Sequence, residues 1–464
     1  MKRRLRVYKK TVSIVNETAT GMYESLVGDK KGFLLESYDK NYDRYTFFGK
    51  EPEEIISSRG NALVITKNDG TQEVRNGNPL ERLKEYYSEF DIVKDNEELS
   101  FSGGLVGNLG YDFVRYAEVL PDNNPDEIGI ETVQMMLMTK FIMVDHVAET
   151  LTGIILGEDT PEGRKKSLEE AEELIRQALA NKGRAPEKNF THDGVIVNQS
   201  DSLEQYSQKV EKIKEYIREG HIFQTVLSQR WTIETKQSGF ELYKELRELN
   251  PSPYLYYFNY GDFEVIGSSP EMIVKQQGNR VYTCPIAGTR KRGADAEEDA
   301  LLRDELLQDE KERAEHVMLV DLARNDMGRI SEFGTVKVTQ FMEVQNYSHV
   351  MHIVSMVEGR KKGEFHPLDL VSSFLPAGTL SGAPKIRAME IIDELESVRR
   401  GLYGGATGYI DFSGDMDFCI TIRTMVKKGN EVYLQAGAGI VADSVPENEY
   451  YECCNKVMAL AKTL

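Results

Sequence analysis

From Val12 to about Glu158, short apolar runs alternate with polar turns, and Gly32–Glu36, Ala62–Thr66 and Phe141–Val144 read as β-strands. The period then changes. Over residues 161–181, Leu168, Ala171, Leu174, Ile175, Ala178 and Leu179 recur at helical spacing, which predicts an amphipathic helix. The stretch Asn181–Lys188 is polar and broken by Gly183 and Pro186, so it reads as a linker. Beyond it, a helix is expected from Leu203 to Gly220 and a strand from Thr225 to Ile233. Helices and strands then alternate to the end without a run of parallel βαβ crossovers, and no internal repeat is visible. Near the end, Ser444-Val445-Pro446-Glu447 has the form of a capping box with Pro in the first turn. The helix it predicts carries Tyr450, Cys453, Val457, Leu460 and Leu464 as its core stripe. These breaks divide the chain into residues 1–160, a helix and linker over 161–195, and residues 196–464.

A chain of 464 residues is too long for one simple core, which agrees with two domains. The formal net charge of −19 argues against nucleic acid or an anionic membrane as a partner. An anionic substrate would need a local cluster of donors working against that overall field. Cys284, Cys419, Cys453 and Cys454 show neither metal-ligand spacing nor a disulfide framework, and they read as reduced thiols. The basic start Met1–Arg6 is not followed by an apolar core, and no stretch is apolar for long enough to span a bilayer. A cytoplasmic protein is expected.

Candidate chemistry concentrates in the C-terminal half. In Pro285-Ile286-Ala287-Gly288-Thr289-Arg290, a glycine, a hydroxyl and a positive charge close together suit a small carboxylate. Glu312 and Glu315 share a helix face, and Glu449 and Glu452 repeat that spacing on the last helix, with Lys456 one turn on. Either pair alone would read as a solvated acidic face. Arg423, in the β-type run Thr421–Thr424, offers a planar fork for a carboxylate. His352, one of seven histidines, follows a hydrophobic run. Upstream, the glycines of Gly103–Asp112 suggest tight turns and lack the Lys-Ser/Thr ending of a phosphate loop. Gly437-Ala438-Gly439-Ile440 resembles a degenerate dinucleotide fingerprint, but the capping box starts the helix at Ser444 and not on the glycines, so that reading is rejected.

Together with Glu315–Asp326, His352–Ser355, Ala377–Lys385, Leu402–Gly405 and Ala436–Val441, these segments closely resemble the chorismate-utilising enzymes over nearly the whole chain. Within that family the resemblance is to the large subunits of anthranilate synthase. It implies an α+β fold with large antiparallel β-sheets packed orthogonally between outer helix layers. It also implies Mg²⁺ held by Glu315 and Glu452, with Glu312 and Glu449 behind them or acting through water. The implied chorismate contacts are Gly288, Thr289, Tyr403, Arg423, Gly437, Ala438, Gly439 and Lys456, and the catalytic positions are His352, Thr379 and Gln224.

Two positions separate the relatives by chemistry. Where isochorismate and salicylate synthases carry a lysine base, this chain has Gln224, which cannot deprotonate water. Where aminodeoxychorismate synthases carry a lysine nucleophile, it has Ala287, which cannot form a covalent adduct. Ammonia adding directly at C2 of chorismate, followed by loss of pyruvate to give anthranilate, is the expectation. The chain lacks a Gly-x-Cys-x-Gly elbow, so a separate glutamine amidotransferase subunit is implied, in a heterodimer or heterotetramer. Leu34–Ser37 and Asn250–Leu255 match the family's tryptophan-feedback segments, pointing to Glu36, Ser37, Pro253, Tyr254 and Leu255, with Arg44 in support. Leu255 departs from the methionine usual in the family. An aminodeoxychorismate synthase component and a non-catalytic tryptophan sensor on the same fold are the alternatives.

Overall fold

The computed structural model describes residues 2–15, 17–37, 44–94, 99–180, 192–347 and 350–464. The linker expected at Asn181–Lys188 lies outside the described residues. The strands form two large sheets, of 13 and 12 strands among the described residues. Pairing is antiparallel almost throughout, with a parallel exception between Arg3–Ser13 and Phe90–Val93. The fold is α+β.

Both sheets draw strands from both ends of the chain. Gly32–Glu36 pairs with Tyr254–Asn259 in the larger sheet, and Gly104–Leu109 pairs with Ala406–Asp411 in the smaller. Each of these strands buries both faces, so its residues divide between two cores. Phe33, Tyr256 and Phe258 join the cluster packed between the sheets. Their neighbours Leu34, Leu255 and Tyr257 face a second cluster that contains the helices Ala19–Leu26, Pro161–Ala178, Leu203–Arg218 and Pro446–Ala461. A third cluster packs the helices Pro79–Tyr87, Glu310–Ile330 and Pro367–Phe374 on the smaller sheet. The order is helix, sheet, sheet, helix. Two-sided burial explains why the strands read as apolar runs rather than strict alternation.

The expected elements form, with shifted ends. Pro161–Ala178 is helical, started by Thr160, whose hydroxyl accepts from the Gly163 amide at 3.0 Å. Leu203–Arg218 begins at a capping box on Ser202, and the strand after it runs from Gln224 to Glu234. Two expectations need correction. The last helix starts at Pro446 with Val445 at its N-cap, and no side chain caps it. The Ser444 hydroxyl instead accepts from the Val441 amide at 3.1 Å, so it closes the preceding turn. In Gly103–Asp112, Gly103 stands at a bend with φ +126°, but Gly104 and Gly107 do not build turns: Gly104–Leu109 is a fully buried strand. A Cβ at Gly104 would meet the Ile410 carbonyl oxygen at 2.1 Å, and one at Gly107 the Gln134 carbonyl oxygen at 2.2 Å. Glycine serves close strand approach there.

Candidate functional site

The strand Gln224–Glu234 pairs with Glu431–Ile440, setting Val226 opposite Gly439 and Ser228 opposite Gly437. A Cβ at Gly439 would lie 2.7 Å from Gln224 Nε2, and one at Gly437 would lie 2.9 Å from the Tyr403 hydroxyl. The glycines therefore leave room for two polar groups. They stand in a strand that ends before the final helix, so the dinucleotide reading stays rejected. The Gly437 amide donates to the Tyr403 hydroxyl. Gly439 has the same parity, so its amide faces the same side of the ladder. Lys456 donates to the Gly437 carbonyl and to Glu452, each at 2.8 Å. Gln224 is buried, and its Oε1 has no hydrogen-bond partner among the described residues.

On the other wall, Ile286–Lys291 pairs with Val350–Arg360, and the register shifts between Ala287 and Thr289. Gly288, at φ +80°, takes up the extra residue, which brings Thr289 opposite His352. His352 Nδ1 lies 3.1 Å from the Gly288 carbonyl oxygen and 3.0 Å from the Thr289 hydroxyl. A carbonyl can only accept, so Nδ1 carries the proton and Nε2 keeps its lone pair. Burial pushes the His352 pKa down to about 4, which leaves the ring neutral at physiological pH. The Tyr347 ring meets it edge-on at 5.4 Å.

Arg423 precedes the strand Thr424–Lys428 and is not part of it. Its φ of +49° is a left-handed conformation, sparsely populated by non-glycine residues and costly in backbone strain. Its side chain keeps solvent access while the surrounding walls push its pKa down, as at the floor of a recess. Among the described residues it makes no ion pair. Glu271 and Tyr347 are the groups that act on it in the opposite direction.

Glu271 escaped the sequence reading. It is 7 % exposed, accepts from the Thr379 hydroxyl at 3.1 Å, and has its pKa pushed up to about 8 by burial. The signal was an acid in the otherwise apolar Glu271–Val274 run, directly after Pro270. A carboxyl that is still protonated at pH 7 is a proton donor.

Acidic residues of the two helices act on one another electrostatically. Burial raises the Glu315 pKa, and Glu312 and Glu452 raise it further. Burial also raises that of Glu449, with Glu452 adding to the effect. Carboxylates from two helices that feel one another in this way suit a cation between them. Among the described residues no three His, Cys, Asp or Glu side chains converge to hold a metal ion. That is compatible with Mg²⁺, which takes one or two protein carboxylates and completes its shell with water and ligand oxygens. His316, beside Glu315, is buried and bonds Ser355 at 2.6 Å, which ties the helix to the sheet below.

The segments matched to tryptophan feedback also meet. Glu36 stands opposite Leu255 and accepts from Tyr243 and, at 2.9 Å, from Arg247. The Ser37 hydroxyl is buried without a partner among the described residues. Pro253 is buried, and the Tyr254 hydroxyl donates to Asp417 at 2.9 Å. Arg44 is drawn to Asp145, donating from Nε at 2.6 Å, and lies over the Tyr45 ring.

A family model described as chorismate binding enzyme matches residues 33–462. Anthranilate synthase component 1 of Acetivibrio thermocellus is 44% identical over 97% of this chain and 93% of its own length. The protein of the same description from Aquifex aeolicus is 43% identical over 93% and 88%. The crystal structure of anthranilate synthase component I from Streptococcus pneumoniae superposes with a TM-score of 0.79 at 38% identity, covering 90% of this chain and 92% of that one. The menaquinone-specific isochorismate synthase of Escherichia coli has a TM-score of 0.74 at 18% identity, covering 99% of this chain and 94% of that one, and so shares the fold.

Proposed function

The chain belongs to the chorismate binding enzymes, and from that premise we propose that it is a lyase, the large component of an anthranilate synthase. It aminates chorismate at C2 with ammonia and releases pyruvate, water and anthranilate. One observation carries the choice of nucleophile. Gln224 cannot deprotonate water and Ala287 cannot form an adduct with the ring, while Gln224 Oε1, without a partner among the described residues, can accept from an ammonia N–H. Ammonia forms the C2–N bond as the C4 hydroxyl departs, and Glu271 donates the proton that lets it leave as water. Loss of the C2 proton and of the enolpyruvyl group as pyruvate then aromatises the ring. His352 Nε2, which keeps its lone pair, can accept a proton shed in that sequence.

Arg423, the Gly439 amide and Lys456 face the substrate carboxylates. Glu315 and Glu452 would hold Mg²⁺, supported by Glu312 and Glu449. Bound there, the cation would neutralise acids that otherwise repel a dianion and would polarise a substrate carboxylate. Ammonia comes from a separate glutamine amidotransferase subunit, and the protein works in the cytoplasm. Among the described residues no helix is long and apolar enough to cross a membrane.

We further infer that tryptophan inhibits the enzyme at Glu36, Ser37 and Pro253–Leu255, where the buried Ser37 hydroxyl has no partner among the described residues. A route to the clamp supports this. Leu255 pairs with Ser268, whose amide donates to the Arg423 carbonyl at 3.2 Å. The Ser268 hydroxyl also bonds Ser252 at 2.9 Å. A shift of the inhibitor segment would therefore reach the strained Arg423.

The test of the nucleophile uses the purified chain with chorismate and Mg²⁺. Ammonium salts should support formation of fluorescent anthranilate and glutamine should not; turnover of the lone chain with glutamine would overturn the need for a partner subunit.

A further inference from the structure

We propose that Arg400, paired with Glu396, is a positioning residue that sets three separate parts of the cleft against one another. The two side chains are each 2 % exposed. Glu396 accepts from Arg400 Nε at 2.9 Å and from Nη2 at 2.6 Å, a two-point pairing. Ion pairs sealed from water at this depth contribute little net stability compared with apolar packing of the same volume. What the pair does with its remaining valences is therefore informative.

Arg400 Nη1 donates to the Leu380 carbonyl at 2.6 Å, and Leu380 follows Thr379, the hydroxyl on Glu271. Arg400 Nη2 donates to the Val226 carbonyl at 2.8 Å, in the strand that begins at Gln224. Glu396 holds the same strand two residues further on, accepting from the Ser228 amide at 2.8 Å and hydroxyl at 2.7 Å. The guanidinium lies over two tyrosine rings. Its carbon is 4.6 Å from the centroid of Tyr111 and 5.6 Å from that of Tyr403, whose hydroxyl meets the Gly437 amide. One side chain thus fixes the turn behind Glu271, the strand of Gln224 and the ring of Tyr403. It also gives Tyr111, at the end of the glycine-rich Gly103–Asp112 segment, a role that the reaction itself does not require.

A rigid fork is needed for this. Lysine at position 400 could meet Glu396 but could not also satisfy both carbonyls in a fixed plane. The inference rests on the chorismate-amination reading, so turnover is followed as chorismate consumed, whichever product forms. Arg400→Lys, Arg400→Met and Glu396→Gln are compared with the wild type for kcat, KM, melting temperature and the Mg²⁺ concentration giving half-maximal rate.

The expected result for Arg400→Lys is a kcat at least tenfold lower, a melting temperature within a few degrees of wild type, and an unchanged Mg²⁺ requirement. The last follows because, among the described residues, the hydrogen bonds of Arg400 go to Glu396, Leu380 and Val226 and not to the helices that carry Glu315 and Glu452. Arg400→Met should be slower still, and Glu396→Gln should behave like Arg400→Lys if the methionine variant fails to fold. Wild-type kcat in both Arg400→Lys and Glu396→Gln would overturn the inference. So would losses that vanish once rates are corrected for the folded fraction, or a Mg²⁺ requirement that shifts in proportion to kcat. A wild type that consumes chorismate without forming anthranilate would instead contradict the functional reading and leave the Arg400 comparison intact.

Discussion

Glu271→Gln separates stability from chemistry at a single buried atom pair. In the folded protein the carboxyl titrates near 8 rather than 4.5, chiefly because burial disfavours its charge; the Thr379 and Ile286 hydrogen bonds and Arg423 pull it partway back. Below pH 4.5 the group is protonated in both folded and unfolded chains and costs nothing. As pH rises from 4.5 towards 8, the unfolded chain ionises first, so the folded state loses about 1.4 kcal/mol per pH unit relative to it. Above 8 both forms are ionised and the loss stops growing. Between pH 5 and 8 this amounts to about 4 kcal/mol. Glutamine has nearly the same shape, can still accept from Thr379, and does not titrate. Its melting temperature relative to wild type should therefore climb steadily from pH 5 to 8, by roughly 1–2 °C per kcal/mol for a chain of this size. The same variant should lose turnover by about a hundredfold or more, since it has no acidic proton to give. Wild-type turnover should itself decline above pH 8. Melting curves of the two proteins that run parallel across pH would refute the neutral carboxyl, and a Gln variant with normal kcat would refute its role as proton donor.

Glu452→Gln should fold normally, since the side chain is half exposed, yet lose about a hundredfold or more in Mg²⁺-dependent turnover; normal kcat and metal dependence would remove Glu452 from the metal site. Gly439→Ala places a methyl 2.7 Å from Gln224 Nε2 and should lower kcat about tenfold or more by displacing that amide, so an unaffected rate would show that Gln224 need not stay where it is. Ser37→Phe should fill the tryptophan pocket, abolish tryptophan binding in calorimetry and leave uninhibited turnover largely intact. Equal binding to mutant and wild type would make the Leu34–Ser37 segment an ordinary strand. In the wild type, chorismate with Mg²⁺ should weaken tryptophan binding by the factor by which tryptophan weakens chorismate binding.

Much of this was legible in the chain, for identifiable reasons. Helix period exposed the Glu312/Glu315 and Glu449/Glu452 pairs, and a fixed offset of three residues places such pairs on one face in any helix. The strand Gly32–Glu36 announced itself as an apolar run because both of its faces are buried. What stayed hidden depends on contacts between distant segments. The pKa of Glu271 is set by burial, which no local window reports. The glycines of Gly103–Asp112 looked like turn residues because close approach of Ile410 and Gln134 is a tertiary fact. Ser444 kept its capping-box spacing but spends its hydroxyl on Val441, a choice that sequence spacing cannot distinguish. Arg400 and Glu396 form an ordinary i, i+4 pair in sequence. Only the fold shows that their partners are Val226, Ser228 and Leu380.

The most direct test is the fate of nitrogen. The purified chain is incubated with chorismate, Mg²⁺ and ¹⁵N-ammonium, and the products are resolved by NMR and mass spectrometry. The result predicted is anthranilate carrying ¹⁵N in its amino group, with pyruvate formed in equal amount. Isochorismate without label would show that water is the nucleophile despite Gln224. A labelled amine at C4 on a ring that keeps its enolpyruvyl group would show aminodeoxychorismate chemistry despite Ala287, and either product would contradict the account.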